Sequence, residues 1–304
     1  MARLRTGWLV ALIVLAAAPA AWAWGPLTHI HLADELLASL WAVPVGVASI
    51  LARYRRYFVF GNVAADVVLA KKLSRVKQVC HSWSTAWSLL ERAETDPGRA
   101  FAYGYLSHLA ADTVAHNKFL PWQIVAAGST VTLGHLYWEI RADAAVPPGH
   151  WTGLRSVLAE RYPEPERLLA AHLTRTLLPY RVNRHLFQRM NLLQCADGWR
   201  RSVRVASLLS RWPIDLQVLA EFHAESLERI RSVLSEGRSS AVLHEDPNGN
   251  SALLFTRHQR RLLRRMKRAR LPTQHVVRET VRGHAPLPGR ALSAAAHSAA
   301  QITG

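Results

Sequence analysis

Three ionisable side chains stand at four-residue intervals inside an apolar stretch of the chain. The string H-x-x-x-D-x-x-x-H runs from His108 through Asp112 to His116, and Leu, Ala, Thr and Val fill its other positions. Four residues advance an α-helix by roughly 400°, so the three side chains lie on one face, about 6 Å apart per step. Burial of such groups is costly unless metal ions or hydrogen bonds satisfy them. The spread is too long for one ion, and it favours a carboxylate that bridges two ions with an imidazole for each.

The rest of the chain has the apolar spacing of helices. Between residues 30 and 240, apolar side chains recur every three or four positions, as in Leu216, Leu219 and Phe222, and alternating strand patterns are scarce. Turn-forming pairs such as Asp96-Pro97 separate the helical stretches. The pattern predicts an all-α, multi-helix domain over residues 24–245 and a separate segment over residues 246–304.

Further candidate metal ligands lie on either side of this string. His135 and Glu139 form an i, i+4 pair that can chelate one ion, or can make an ordinary contact on a helix surface. His81 is a lone histidine, and Asp66 follows Gly61-Asn62-Val63-Ala64-Ala65, where it can ligate a metal or simply cap a helix. The set as a whole predicts a metal site more strongly than any member alone.

The first 23 residues have the three parts of a secretory signal. Arg3 and Arg5 precede an apolar stretch, and Ala21-Trp22-Ala23 is a small-x-small cleavage site. Cleavage after Ala23 would start the mature chain at Trp24. The α-amine and carbonyl oxygen of Trp24 can chelate a metal ion, and His29 can complete the coordination site. We therefore expect an exported protein, periplasmic or secreted. An uncleaved anchor or a later cut is the alternative, and either would deprive the site of its amine.

Positive charge is concentrated near the C-terminus. The formal net charge is +17, and Glu279 is the only acidic residue after Pro247. Residues 252–271 interleave apolar side chains with Arg and Lys, which predicts an amphipathic helix that can lie on an anionic membrane. A solvated helix or a flexible tail is the alternative, and nucleic acid would also attract this charge. After Leu271 the composition predicts a disordered tail.

The mature chain keeps two cysteines. Cys80 and Cys195 can pair in an exported protein, although two cysteines do not make a disulfide scaffold. The sequence leaves their pairing open.

In their order along the chain, the candidate ligands resemble those of the zinc-dependent phospholipase C family. Relatives of that family include single-strand-specific nucleases and the N-terminal domain of glycosylphosphatidylinositol-specific phospholipase D. The resemblance implies a phospholipase C/nuclease-like helical domain with three zinc ions buried between its helices. The implied ligands fall into three groups, with Asp112 bridging the first two: Trp24 and His29; Asp66, His81 and His108; and His116, His135 and Glu139.

The activity implied by this resemblance is phosphodiester hydrolysis by a metal-bound hydroxide, with a phospholipid as the first candidate substrate. Asp66 and Asp112 are the candidate catalytic residues: Asp112 would bridge two ions, and Asp66 would ligate zinc, orient the water or act as general base. Two alternatives stay open, a single-strand-specific nuclease with the same chemistry and a zinc-bound surface protein with little turnover. The sequence specifies no oligomeric state.

Overall fold

Helices make up most of the described chain. The computed structural model describes residues 24–67, 79–129, 131–172, 178–210 and 212–284, and no strand occurs within these ranges. The α-helices are, in chain order, α1 (Pro26–Ala38), α2 (Val45–Arg53), α3 (Arg55–Ala64), α4 (Trp83–Glu91), α5 (Asp96–Val114), α6 (Leu120–Ala127), α7 (Val131–Ala145), α8 (His150–Ala159), α9 (Pro163–His172), α10 (Tyr180–Gln194), α11 (Asp197–Leu208), α12 (Leu216–Glu236), α13 (Asn250–Arg268) and α14 (Gln274–Gly283). Short 3-10 turns cover Leu40–Ala42, Val79–His81, Gly237–Ser239 and Ala241–His244, and a π-helical turn covers Ala115–Phe119. The prediction of an all-α fold is confirmed.

Helix α5 is the central element of the fold. Its residues from Tyr105 to Val114 are all buried, and α3, α4 and α12 pack around it. Thr95 caps its N-terminus by accepting a hydrogen bond from the backbone N–H of Gly98. A helix that is enclosed on all sides needs small or apolar residues around its whole circumference, which explains its many Ala, Gly and Leu residues. The buried polar side chains of its last two turns therefore face other protein groups rather than water.

Two glycines set the distance between α3 and α5. A Cβ atom at Gly61 would lie 2.1 Å from the carbonyl oxygen of Phe101, and one at Gly104 would lie 2.1 Å from that of Phe58. Because any side chain at either position would clash with backbone, the two helices approach more closely than larger residues allow. This approach brings the end of α3, with Asn62 and Asp66 beyond it, against the polar face of α5.

Helix α1 is tied to α7 at its first turn. Asp143 of α7 accepts hydrogen bonds from the backbone N–H groups of Leu27 (3.1 Å) and Thr28 (2.9 Å) and from the Thr28 hydroxyl (2.7 Å). A carboxylate at a helix N-terminus is favoured by the unpaired N–H groups there. Burial nonetheless raises the pKa of Asp143 to about 6, against the lowering effect of these hydrogen bonds. The contact fixes α1, which carries His29, relative to α7, which carries His135 and Glu139.

The C-terminal segment contains two helices. Helix α13 packs against α6, α7 and the π-helical turn, and α14 packs against α6 and α13. The structure thus places a helix within the predicted amphipathic segment, and it also places one at Gln274–Gly283, where the composition predicted disordered chain. Residues 285–304 of that tail and the predicted leader, residues 1–23, lie outside the described residues. The division of the chain at residue 246 stays a prediction.

Neither of the two cysteines contributes a disulfide to the described structure. Cys80 and Cys195 are both buried, and the Sγ atom of Cys195 lies 3.9 Å from the carbonyl oxygen of Trp151. Among the residues that the structure describes, no helix combines the length and the hydrophobicity needed to cross a bilayer.

Candidate metal centre

Three imidazoles surround the carboxylate of Asp112. The Nε2 atom of His29 lies 3.3 Å from Oδ1, and the Nε2 atoms of His81 and His108 each lie 3.2 Å from Oδ2. All four side chains are buried. The two oxygens of Asp112 therefore face different partners, which is the arrangement expected of a carboxylate that bridges two cations.

Asp66 joins this group from the end of α3. Its Oδ1 atom lies 3.3 Å from Nε2 of His81, and its Oδ2 atom lies 4.0 Å from Nε2 of His108. The two imidazole Nε2 atoms are themselves 3.1 Å apart. In a tetrahedral zinc site with bonds of about 2.0–2.2 Å, neighbouring ligand atoms lie about 3.3–3.6 Å apart. The spacing of Asp66, His81, His108 and Asp112 is close to that of a zinc coordination shell.

The tautomer of His108 also fits a metal ligand. Its Nδ1 atom lies 2.7 Å from the carbonyl oxygen of Asn62, and since a carbonyl only accepts, Nδ1 carries the proton. Nε2 is left to face the carboxylate of Asp112 at 3.2 Å, where a cation could lie between the two atoms. A hydrogen bond from the distal nitrogen to a carbonyl is common for metal-bound histidine.

The charge states of the cluster favour metal binding. Burial alone would raise the pKa of Asp112, but the neighbouring imidazoles, above all His108, hold it well below its usual range. Burial lowers the pKa of His29, and the nearby His108 adds to this effect. Neither oxygen of Asp112 and neither ring nitrogen of His29 has a well-formed hydrogen bond. A charged carboxylate beside a neutral imidazole is the protonation state that zinc requires.

His116 lies in the π-helical turn, and His135 and Glu139 lie one turn apart on α7. The rings of His116 and His135 meet edge to face with centroids 5.1 Å apart, and Nε2 of His116 lies 3.9 Å from Oδ2 of Asp112. All three side chains are buried. His116 belongs to the π-helical turn, so the regular α-helical spacing predicted for the string ends at Val114. Such turns inside helices are rare and frequently occur at functional sites.

Trp24 is anchored in the core beside this region. Its indole Nε1–H donates to the hydroxyl of Ser226 at 3.3 Å, and its ring lies 4.6 Å from that of Phe119 and 5.1 Å from that of His223. The side chain is fully buried. The position holds the start of the predicted mature chain next to α1, while chelation by its amine stays a prediction.

The segment between α12 and α13 supports two of the candidate ligands, His81 and His116. Asn248 Nδ2 donates to the carbonyl oxygen of His81 at 2.8 Å, and Asp246 accepts hydrogen bonds from Asn248 and Asn250. Gly249 adopts a left-handed conformation (φ 58°), and a Cβ atom there would lie 2.6 Å from Cβ and O of His116. The run Pro247-Asn248-Gly249-Asn250 signals a tight turn, but nothing in it reveals the contact with the cluster.

His31 and Asp34, both on α1, do not join the cluster. His31 lies on the opposite side of α1, with its ring 5.1 Å from that of His150 and 5.4 Å from that of His223. Asp34 forms an ion pair with Arg55 (2.7 Å), and its second oxygen lies 3.4 Å from Nε2 of His150.

The comparison with known families agrees with this geometry. A family model described as zinc dependent phospholipase C matches residues 28–182, just over half of the chain. The chain belongs to the zinc-dependent phospholipase C family. The match includes every candidate ligand from His29 to Glu139, and the buried His/Asp groups of this phospholipase C family member suit zinc. No curated protein and no solved structure shows significant similarity to the chain.

Proposed function

We propose that the protein is a zinc-dependent phosphodiesterase that hydrolyses phospholipids in the manner of a phospholipase C. The observation that carries the proposal is the division of Asp112 between His29 on one oxygen and His81 and His108 on the other. Membership of the zinc-dependent phospholipase C family supports both the metal and the class of reaction. A buried carboxylate with imidazoles on both oxygens can be shared by two adjacent zinc ions, and the contact of His108 Nδ1 with the Asn62 carbonyl leaves its Nε2 for a metal.

The chain offers ligands for three zinc ions. Asp112 would be shared by the first two, with His29 and the α-amine and carbonyl oxygen of Trp24 on one side. Asp66, His81 and His108 would hold the second zinc ion. The third zinc ion would be held by His116 of the π-helical turn and by His135 and Glu139 of α7. When bound, zinc supplies a Lewis acid that polarises a phosphoryl oxygen and lowers the pKa of water to about 7.

The protein groups around the ions would fix their positions and the orientation of the ligands. The Asn62 carbonyl holds the proton of His108 on Nδ1, and Asn248 holds the backbone of His81. The 3.3 Å separation between Asp66 Oδ1 and His81 Nε2 supports a ligand role for Asp66. Its second oxygen, 4.0 Å from His108, is then the group that could orient an attacking water or accept its proton.

The substrate proposal rests on the family and on the charge of α13. Helix α13 carries a basic face and exposed apolar residues, including Leu254, Phe255 and Leu262, so it combines the two features that favour contact with an anionic membrane. Export to the periplasm or the medium would bring such a surface to lipid. The basic face would also attract the nucleic-acid substrate of a nuclease with the same chemistry. An activity assay therefore has to distinguish phospholipid from nucleic acid as the substrate.

The experiment that tests the proposal is a zinc and activity assay on the chain that starts at Trp24. We expect about three zinc ions per chain and cleavage of phosphatidylcholine. The matched control is the chain that starts one residue earlier, at Ala23: its Trp24 nitrogen is an amide, so it should bind zinc less well at the first site. Cleavage of single-stranded DNA alone would show that the protein is a nuclease rather than a phospholipase. Three bound zinc ions without either activity would support a non-catalytic zinc protein. A chain without zinc would contradict the whole proposal.

A further inference from the structure

A cavity of about 260 Å³ lies between α6, α13 and α14, apart from the candidate metal centre. Its floor is the end of α6 and the glycine that follows it, Gly128. One wall is α13, and Trp212 and Val277 close the remaining sides. Small-molecule sites commonly measure about 300–1,000 Å³, so this cavity has room for a small polar group and not for a whole phospholipid.

The α13 wall of the cavity carries three positive charges. Arg260, Arg264 and Lys267 follow one another at four- and three-residue spacing, so they share one face of the helix. No acidic residue lines the cavity, and in the described part of the chain none of the three forms an ion pair. Glu279, the only acid after Pro247, instead lies 3.4 Å from Arg282. The cavity therefore contains concentrated positive charge without an internal counter-ion.

Arg260 is the most constrained of the three cations. One Nη2–H donates to the carbonyl oxygen of Gly128 at a long 3.4 Å, and its Nε–H is buried without an acceptor. Burial lowers the pKa of Arg260, and the charge of Arg264 lowers it further. Because an arginine stays protonated in proteins, these effects leave a buried donor and a charge that an external anion can satisfy.

The rest of the lining is apolar. It comes from Leu263 of α13, Val277 of α14 and the end of α6, and Trp212, which is 38% exposed, stands at its edge. Arg141 of α7 holds this edge by donating to the carbonyl oxygen of Trp212 at 3.3 Å. Positive charges beside an apolar lining, with a tryptophan at the rim, match a ligand that has an anionic group beside apolar carbon.

We propose that this cavity binds the phosphate group of an anionic ligand, with Arg260, Arg264 and Lys267 as its phosphate contacts and Trp212 against the adjoining carbon atoms. A lipid headgroup and free phosphate share this chemistry. Headgroup binding would hold the protein at a bilayer through a defined site, in addition to the general attraction of a basic helix. The site does not depend on turnover at the metal centre, so its test is a binding measurement.

The test compares two double variants of α13 that remove the same charge. Arg260→Gln with Arg264→Gln alters the cavity, and Arg261→Gln with Arg265→Gln alters exposed residues one position further along the helix. Co-sedimentation with phosphatidylglycerol vesicles and with phosphatidylcholine vesicles measures binding, and calorimetry measures the affinity for inorganic phosphate. Zinc content and the thermal unfolding midpoint check that each variant is folded. Because Lys267 is exposed, Lys267→Gln provides a further cavity variant with little risk to folding.

We expect the cavity variant to lose about tenfold or more in affinity for phosphatidylglycerol vesicles, and the control variant to lose clearly less. If the cavity variant alone also loses saturable binding of inorganic phosphate, then free phosphate is a ligand too; loss on vesicles alone would identify the headgroup. Equal losses in the two variants would show that only the overall charge of α13 matters, and this would overturn the site. Unchanged binding in the cavity variant and in Lys267→Gln would overturn it as well.

Discussion

The candidate metal centre and the C-terminal helices use charge in opposite ways. The centre consists of five buried ionisable side chains, each with an atom within 3.3 Å of another member: His29, Asp66, His81, His108 and Asp112. Along α13, the Arg and Lys residues are mostly exposed and carry no matching acids. The buried cluster is energetically possible only in one defined geometry, whereas the exposed charges of α13 are compatible with many side-chain conformations.

This difference separates two kinds of function. Buried charges that face one another must be placed to within a fraction of an ångström, so their geometry reports on a specific ligand. Exposed charges of one sign attract any opposite charge, and they become specific only where an enclosing surface, such as the cavity beside Arg260, adds shape.

The largest expected effect is that of Asp112→Asn. Loss of the shared carboxylate should release at least one zinc ion and lower phosphodiesterase activity by about a thousandfold. Zinc content by mass spectrometry and turnover of phosphatidylcholine measure these effects. Asp34→Asn is the matched control, because Asp34 lies on α1 outside the cluster, paired with Arg55, and should leave both values unchanged. Retained zinc with full activity in Asp112→Asn would rule out a bridging role.

The next effect concerns the stability of the core in acid. Burial, with a smaller contribution from His31, lowers the pKa of His223 to about 3. Below pH 6.5 the unfolded chain binds a proton at His223 and the folded chain does not, so stability is present above that pH and is lost as the pH falls. Between about pH 7 and pH 5 this amounts to about 2 kcal/mol.

The variant His223→Gln should remove this part of the pH dependence. Urea unfolding at the two pH values measures the loss for each protein, and the difference between them isolates His223 from any zinc release. His258→Gln changes an exposed histidine of α13 and serves as the control, for which the wild-type slope is expected. An unchanged slope in His223→Gln would show that the buried imidazole is not the cause.

A smaller effect is expected from Gly249→Ala. The methyl group would meet His116 at 2.6 Å in a left-handed backbone, which should cost about 2 kcal/mol in the free energy of unfolding and displace the ring. Gly128→Ala has nearly the same backbone conformation (φ 63°) but no atom within 4 Å of the added carbon, so it should cost roughly 1 kcal/mol and retain all zinc. Equal zinc content in the two variants would show that Gly249 does not help to position the metal ligands.

The smallest expected effect is a difference in salt dependence between membrane binding by α13 and hydrolysis at the metal centre. Raising the ionic strength from about 0.1 M to about 1 M shortens the screening length from about 10 Å to about 3 Å. Binding to phosphatidylglycerol vesicles should fall about tenfold, while hydrolysis of a soluble phosphodiester should change less than about twofold, since the buried cluster is screened little. A parallel loss of both would mean that exposed charge also controls the reaction itself.

The sequence predicts the centre well where the ligands lie on one helix. His108 and Asp112 are one turn apart in α5, so a helix alone brings their atoms to 3.2 Å. The approach of Asp66 depends on the Gly61–Gly104 contact between two helices, which the spacing of residues does not reveal. The prediction of Asp66 and His81 as ligands came from the family resemblance rather than from local pattern, and the structure places His81 between Asp66 and Asp112, 3.3 Å and 3.2 Å from their oxygens.

Other features depend on tertiary structure and were not predictable. The π-helical turn at Ala115–Phe119 has an ordinary helix-forming composition, and only its packing against α12 and α13 distinguishes it. The contacts of Asn248 and Gly249 join positions more than 100 residues apart. Helix α14 lies in chain whose composition is typical of disorder, and its packing against α6 and α13 gives it a surface to bury.

The contact of Asn248 and Gly249 with His81 and His116 also sets an order of assembly. As the chain is synthesised, the helices that carry the candidate ligands emerge first, but the turn that braces them follows more than 100 residues after Glu139. Domains generally begin to fold from the N-terminus during synthesis. We therefore expect a nascent or truncated chain that ends before residue 246 to hold its ligands loosely, so that a full zinc complement is reached only when nearly the whole polypeptide has been made.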